Sequence, residues 1–224
     1  INACRYPYFI CMDADSVLQY DSLSKIVRPI IEQENVVAVG GVVRSCNGAT
    51  LERGRVVDYH LPNNILACMQ VLEYDRSFLA SRILFDKFNG SLIISGAFGA
   101  FEREKLMQVG MWDIGPGLDG DITQKIRKSG DKVYFAEDAI CMTNVPTEWH
   151  ALFKQRQRWS KSLIRFRLRK HFDILMPHKH FSILNWISNM ENLLYDCIFN
   201  FLWLFYIISL IFMHTDRLME IFLV

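Results

Sequence analysis

Hydrophobic positions in the first part of the chain alternate between short continuous runs and stretches with helical spacing. Continuous apolar runs at 8–12 and 36–43 predict strands that are buried on both faces. Between them, the apolar positions of residues 21–34 recur with the period of a helix. The order strand, helix, strand predicts an α/β fold with a mostly parallel sheet flanked by helices.

The same alternation continues along the chain to residue 136. Helices are predicted over 65–88, 102–109 and 121–129, the last of them stopped by a glycine. Strands are predicted over 92–101, where small residues are frequent, and over 133–136. We therefore assign residues 1–146 to one α/β domain.

The character of the sequence changes after Pro146. Residues 148–171 have helical spacing, are strongly basic and include several aromatic side chains, which is typical of an amphipathic helix at a membrane surface. Residues 197–213 are 17 residues without a charge, at the short limit for a membrane-spanning helix. We predict basic interfacial helices over 147–180 and a membrane segment over 181–224.

Composition and charge narrow the class of protein. The net charge is +1, so no overall field favours a nucleic-acid partner. Hydrophobic residues make up 51% of the chain and the mean hydropathy is +0.11, which suggests that part of the chain meets lipid. The cysteines and histidines lack the spacing of a zinc site.

The chain starts with Ile1, and we expect a fragment that lacks its N-terminal part.

Two aspartates follow directly after the first predicted strand. Asp13 and Asp15 are two residues apart, so in an extended chain their carboxylates project to the same side. Together with diphosphate oxygens they can bind one hard cation, Mg²⁺ or Mn²⁺. The alternative is a pair of solvated turn aspartates.

A second candidate lies in the basic helix. Gln155, Arg158 and Trp159 have the spacing i, i+3, i+4 and share one helix face. An amide, a guanidinium and a flat ring on one face suit a diphosphate and a stacked sugar. The alternative is an interfacial helix with its tryptophan at the level of the lipid headgroups.

A third candidate is the pair Asp119 and Asp121 at the predicted start of the helix 121–129. Either aspartate can cap the helix. The helix dipole also favours an ionised carboxylate there, which is what a general base requires.

The order of these three motifs resembles the processive family 2 glycosyltransferases, which include the cellulose, chitin, hyaluronan and poly-N-acetylglucosamine synthases. Further stretches that resemble the family are Gln70-x-x-Glu73-Tyr74, the small-residue segment 95–101, and Thr143-x-x-Pro146-Thr147. The resemblance covers residues 5–210, and the bacterial poly-N-acetylglucosamine-synthase-like members are particularly similar.

The resemblance implies a GT-A-type fold and a role for each motif. Asp13 and Asp15 would hold the metal on the donor diphosphate, and Asp119 would be the catalytic base. The helical motif would bind the donor diphosphate and the acceptor sugar through Gln155, Arg158 and Trp159. One departure is Leu118, which stands where the family has the glutamate of its Glu-Asp pair. A lost carboxylate would change the surroundings of the base.

The resemblance further implies an inverting transfer of N-acetylglucosamine or a related hexose from a UDP-sugar to a growing polysaccharide at the membrane. A non-processive glycosyltransferase with a lipid-linked acceptor, and a catalytically silent scaffold that binds nucleotide sugar, stay open as alternatives. Between Lys154 and Lys179 the basic residues are opposed by Asp173 alone. This excess predicts contact with membrane lipids and a cytoplasmic catalytic domain at the cell membrane.

Overall fold

The computed structural model describes residues 4–87, 93–113, 115 and 117–171, together with isolated positions between 173 and 209. The strands are Tyr8–Met12 (β1), Val17–Leu18 (β2), Val36–Ser45 (β3), Ala49–Glu52 (β4), Arg55–Tyr59 (β5), Phe98–Glu102 (β6) and Lys132–Thr143 (β7). The helices are Ser22–Glu32 (α1), Ile65–Asp75 (α2), Ile83–Lys87 (α3), Arg103–Gln108 (α4), Leu118–Lys128 (α5) and Trp149–Leu163 (α6). Two π-helical segments, Arg76–Arg82 and Ile164–Lys170, follow α2 and α6 respectively.

The central sheet has five strands in the order β1-β6-β3-β7-β2. Among the described strands of this sheet, β3 and β7 pair in parallel, whereas β6 runs antiparallel to both of its neighbours, and β2 runs antiparallel to β7. The fold is α/β as predicted, but the prediction of a mostly parallel sheet is wrong, since the sheet is mixed. A continuous apolar run indicates burial on both faces of a sheet and carries no information on strand direction.

The hydrophobic core lies on both faces of this sheet. On one face, α1 packs its buried Ile26 and Ile30 against Val39 and Phe98. On the other face, a larger cluster joins the helices α2, α4 and α5 to the sheet. Both faces of the sheet are therefore covered, which explains why β3 reads as a continuous apolar run.

The predicted strands differ from the observed ones mainly at their ends. The strand predicted over 92–101 is observed as β6, which begins only at Phe98. Residues 95–98 instead form a turn, in which the Phe98 N–H donates to the Ser95 carbonyl at 3.2 Å. The strand predicted over 133–136 extends to Thr143, past an irregularity in its register with β3 at Gly41–Val42. The polar pair Glu137-Asp138 lies in that irregular stretch, so it interrupts the apolar pattern without ending the strand.

The predicted helix over 65–88 is observed as α2, a π-helical segment and α3 in succession. The short strand β2 and the hairpin β4–β5 were not predicted, because two-residue and exposed strands leave little apolar pattern.

The membrane segment predicted over 181–224, with its uncharged run 197–213, lies largely outside the described residues. Within the part of the chain that the structure describes, no helix combines the length and the apolar character needed to cross a membrane. The basic helix predicted over 148–171 is observed as α6 and its π-helical continuation to Lys170. The domain boundaries at 146 and 180 stay predictions.

Candidate active site

One cavity of about 480 Å³ opens at the sheet edge where β1 and β7 end. Side chains from the turn after β1, from α2 and the π-helical segment that follows it, and from α5 and α6 contribute to its wall. All six candidate residues of the sequence analysis line this cavity, namely Asp13, Asp15, Asp119, Gln155, Arg158 and Trp159. Residues separated by up to about 145 positions in the chain thus face one volume. Their roles stay predictions.

Asp13 and Asp15 lie in a turn directly after β1. The Ser16 N–H donates to the Asp13 carbonyl at 3.1 Å, and the Asp13 N–H donates to the Ala97 carbonyl at 3.3 Å. The backbone here is therefore a turn and not the extended chain that the sequence suggested. Both carboxylates nevertheless face the cavity and are exposed to solvent.

The electrostatic surroundings of Asp13 suit a bound cation. Partial desolvation at the cavity wall raises the pKa of Asp13. The nearby carboxylates of Asp15 and Asp119 raise it further, and Arg158 lowers it. A divalent cation between Asp13 and Asp15 would relieve the repulsion between the two carboxylates. In the described residues no group of three or more His, Cys, Asp or Glu side chains forms a metal site. Two carboxylates, with the other ligands from a diphosphate and water, fit Mg²⁺ or Mn²⁺.

Asp119 lies in the first turn of α5. The helix begins at Leu118, and Gly117 precedes it with a φ of 85°, a left-handed conformation that glycine adopts without strain. The prediction that Asp119 or Asp121 caps this helix is wrong, because Gly117 turns the chain into the helix before either residue. Asp119 accepts a hydrogen bond from the Gly120 N–H at 2.9 Å, and its carboxylate remains in the wall of the cavity.

Thr123 fixes the first turn of α5 against the segment before β6. Its buried hydroxyl donates to the Asp119 carbonyl at 2.7 Å and accepts from the Ile94 N–H at 3.2 Å. The turn at Gly96 lies beside the same helix, since a Cβ added to Gly96 would stand 4.0 Å from the Asp119 Cβ. The small residues of this turn thus allow the close approach of Asp119.

Asp121 faces away from the cavity. Its side chain is buried and lies 2.8 Å from Nε2 of His171 and 2.6 Å from Nζ of Lys170. Lys125 lies 3.2 Å from the other carboxylate oxygen. These contacts join α5 to the end of the basic helical region. Of the two aspartates, Asp119 is the one that lines the cavity.

The helix α6 presents the predicted face to the cavity. Gln155, Arg158 and Trp159 all line it, as the i, i+3, i+4 spacing requires. The side-chain oxygen of Gln155 is buried and accepts no hydrogen bond within the described part of the chain. A buried acceptor without a partner costs free energy unless a ligand or water donates to it. Trp159 is 37% exposed.

A salt bridge between two helices supports this face. Both terminal nitrogens of Arg156 donate to the Glu73 carboxylate, at 2.5 and 2.6 Å. The Arg156 guanidinium lies over the Trp159 ring, 4.5 Å from its centre. The helix α2 therefore fixes α6 through a residue adjacent to the predicted ligand-binding positions.

The loop before α6 is anchored to the same helix. The buried Gln70 donates from Nε2 to the Pro146 carbonyl at 2.7 Å, and Asn64 donates from Nδ2 to the Thr147 carbonyl at 3.2 Å. Gln70 and Glu73 lie one turn apart on α2. Their contacts give the Gln70-x-x-Glu73-Tyr74 stretch a physical role that the sequence alone did not reveal.

Two further residues bear on the sequence predictions. Leu118, at the position of the family's glutamate, is 40% exposed and is not part of the described cavity wall. Arg82 does line the cavity and was missed, because an arginine within a long helical pattern reads as an exposed surface residue.

The sequence profile of the family described as Glycosyltransferase like family 2 matches residues 1–162. The chain belongs to this family. The membership in family 2 that the order of its motifs predicted is confirmed. The cavity and all six candidate residues lie within the matched range.

Poly-beta-1,6-N-acetyl-D-glucosamine synthases of two staphylococci are similar to the chain. The protein of Staphylococcus aureus (strain COL) is 26% identical over 214 residues, which are 93% of this chain and 45% of that protein. The protein of Staphylococcus epidermidis is 27% identical over 185 residues, covering 80% of this chain and 40% of that protein. The chain thus spans less than half the length of these relatives.

The fold is similar to that of a mannosyltransferase from Pyrobaculum calidifontis, solved in complex with GDP-Man and Mn²⁺. The TM-score is 0.54 at 21% identity, over 77% of this chain and 41% of the mannosyltransferase. A likeness at this identity supports the fold, and the GT-A-type prediction is confirmed for the α/β domain.

Proposed function

We propose that the protein to which this chain belongs transfers N-acetylglucosamine or a related hexose from a UDP-sugar to a growing glycan, with inversion at the anomeric carbon. The observation that supports this proposal most directly is the single cavity in which two carboxylates, a helix-start aspartate and the Gln155–Trp159 face meet. The similarity to poly-N-acetylglucosamine synthases favours this sugar and a polysaccharide product.

At the donor end of the cavity, Asp13 and Asp15 would hold a divalent cation against the diphosphate. Bound there, Mg²⁺ or Mn²⁺ supplies positive charge that stabilises the departing diphosphate. Arg158 is close enough to Asp13 to lower its pKa, so its guanidinium lies at the same end and can bind phosphate oxygens. The unpartnered oxygen of Gln155 can accept a hydrogen bond from a donor or acceptor hydroxyl.

In the same cavity, Asp119 would act as the general base. The acceptor hydroxyl oxygen forms a bond to the anomeric carbon, the bond from that carbon to the diphosphate oxygen breaks, and UDP leaves with the electron pair. The hydroxyl proton passes to the Asp119 carboxylate. A single displacement of this kind inverts the anomeric configuration, and the ring of Trp159 would stack on the acceptor sugar.

The membrane location is part of the same proposal. The basic residues of α6 and its continuation would lie on the anionic cytoplasmic surface, ahead of the apolar residues 197–213. Single cysteines at positions 162 and 215 of the full-length protein, labelled from either side of the membrane, test this topology. Reaction of both sites from the same side would contradict a crossing between them.

The donor and the product are tested together on the full-length protein in its native membranes. A panel of UDP- and GDP-sugars is offered with Mn²⁺, and released nucleotide and product mass are measured. We expect turnover with UDP-N-acetylglucosamine and a ladder of lengthening products on a gel. Addition of a single sugar would favour the non-processive alternative, and UDP binding without turnover of any donor would favour the silent scaffold.

A further inference from the structure

The long helical region before β6 is interrupted by the π-helical segment Arg76–Arg82. A π-helix is rare in proteins, and it occurs frequently at functional sites. This segment contributes Ser77, Phe78 and Arg82 to the wall of the cavity that holds Asp119. A rare type of helix thus places an arginine in the wall of the cavity where the proposed chemistry occurs.

The Arg82 guanidinium is fixed in this position. One terminal nitrogen donates to the Ile93 carbonyl at 2.7 Å, and the guanidinium lies over the Phe78 ring, 4.0 Å from its centre. Burial lowers the pKa of Arg82 to about 10, and the nearby Asp119 carboxylate opposes this shift. The side chain therefore remains a cation at neutral pH.

Two arginines line the cavity, and each interacts with a different aspartate. Arg158 interacts with Asp13, on the side where the cation and the diphosphate would lie. Arg82 interacts with Asp119, on the side of the base. A general base must lie within hydrogen-bond reach of the proton that it removes, so the acceptor hydroxyl belongs beside Asp119 and hence beside Arg82.

We propose that Arg82 binds the acceptor sugar, donating hydrogen bonds to hydroxyl groups next to the one that attacks. A guanidinium has five N–H donors in a rigid fork, which suits neighbouring hydroxyl oxygens of a sugar. Arg82 exchanges no proton in the reaction, because the hydroxyl proton passes to Asp119. This assignment rests on the proposed function, since it takes Asp119 as the base.

The test compares Arg82→Gln and Arg82→Lys in the full-length protein with the control Arg76→Gln. Arg76 lies on the same π-helical segment but is exposed and outside the cavity wall. Donor binding is measured by calorimetry with UDP and Mn²⁺. Acceptor use is measured as the KM for N-acetylglucosamine oligosaccharides with the sugar donor that the wild type turns over. Binding of the same oligosaccharides is measured by calorimetry.

We expect Arg82→Gln to raise the acceptor KM by about 10- to 100-fold, the range for losing hydrogen bonds to a charged group. Arg82→Lys restores part of this loss, and UDP binding is unchanged in both variants. The control keeps wild-type values throughout. This split between acceptor and donor distinguishes a substrate contact from a role in packing alone, which would affect both.

Two results would overturn the assignment. If Arg82→Gln weakens UDP binding as much as acceptor binding, the guanidinium belongs to the donor site or to the fold. If neither changes, it contacts no substrate. Should the glutamine variant fail to fold, the same comparison with Arg82→Lys decides. If the wild type turns over no donor, the proposed function fails, and oligosaccharide binding to the wild type and Arg82→Lys still tests Arg82.

Discussion

Glu73 and Arg156 form a two-pronged salt bridge between α2 and α6, with N–O distances of 2.5 and 2.6 Å. The same guanidinium lies over the ring of Trp159, one of the residues that we propose to contact the acceptor. The pair is partly exposed, so it contributes little to global stability. Its significance is positional, because a displacement of about 1 Å at a reacting centre costs on the order of 100-fold in rate.

The first prediction follows from this pair. Glu73→Gln removes the charge that holds Arg156, and we expect kcat/KM to fall about 10-fold or more while the melting temperature changes little. The exchanged pair Glu73→Arg with Arg156→Glu should recover part of the activity. Glu148→Gln, on an exposed residue at the start of α6, is the matched control. Equal activity of Glu73→Gln and wild type would show that the salt bridge does not position Trp159.

Local sequence patterns predicted the candidate site better than the sheet. The strand before Asp13 is a continuous apolar run, and the shared face of Gln155, Arg158 and Trp159 depends on a period of 3.6 residues. Both patterns are visible in a short window of the chain. The direction of β6 depends on how distant segments pair, which no local pattern records. The prediction of a mostly parallel sheet was wrong for that reason.

Two local features of the structure also could not be predicted from the sequence patterns. The start of α5 was placed three residues late, because Gly117 in a left-handed conformation begins the helix where a side-chain cap was expected. Arg82 was not predicted as a site residue, because its position in the cavity wall depends on a π-helical segment. Such a segment shifts the helix face by a fraction of a turn, and the residue pattern of an α-helix does not show it.

The second prediction concerns the base. Asp119→Asn keeps the size of the side chain and removes its ability to accept a proton, so we expect transfer to fall by about 10²- to 10⁴-fold. Binding of UDP with Mn²⁺, measured by calorimetry, should remain close to wild type. Asp138→Asn, on an exposed residue outside the cavity wall, controls for a charge change in itself. If Asp119→Asn keeps near wild-type turnover, Asp119 is not the base.

The third prediction concerns the metal. Asp15→Ala removes one of two carboxylates that would hold the cation, so the affinity for UDP in the presence of Mn²⁺ should fall. Asp15→Asn keeps an oxygen ligand without the charge and should fall between Asp15→Ala and wild type. Calorimetric titrations with and without a chelator separate metal-dependent binding from the rest. Unchanged affinity in Asp15→Ala would show that the cation, if one binds, is held elsewhere.

The last prediction concerns pH and the contact between α5 and the end of the basic helical region. His171 is buried, with its Nε2 2.8 Å from Asp121. Burial lowers the pKa of His171 below its ordinary value of 6.5, although the hydrogen bond to Asp121 opposes the shift. Lys170 and Lys128 add positive charge nearby and lower the pKa further. The folded protein therefore binds this proton more weakly than the unfolded chain does.

The sign of the effect on stability follows from that difference. Above pH 6.5 His171 is neutral in both states and the group contributes no pH dependence. As the pH falls below 6.5, the unfolded chain gains the proton first, so the free energy of unfolding decreases until the folded state is protonated too.

Thermal unfolding at pH 7.5 and pH 5.5 should therefore show a larger loss of stability for the wild type than for His171→Gln. His60→Gln, on an exposed histidine paired with Asp58, should behave like the wild type. Equal losses in the wild type and His171→Gln would mean that burial does not keep this imidazole neutral.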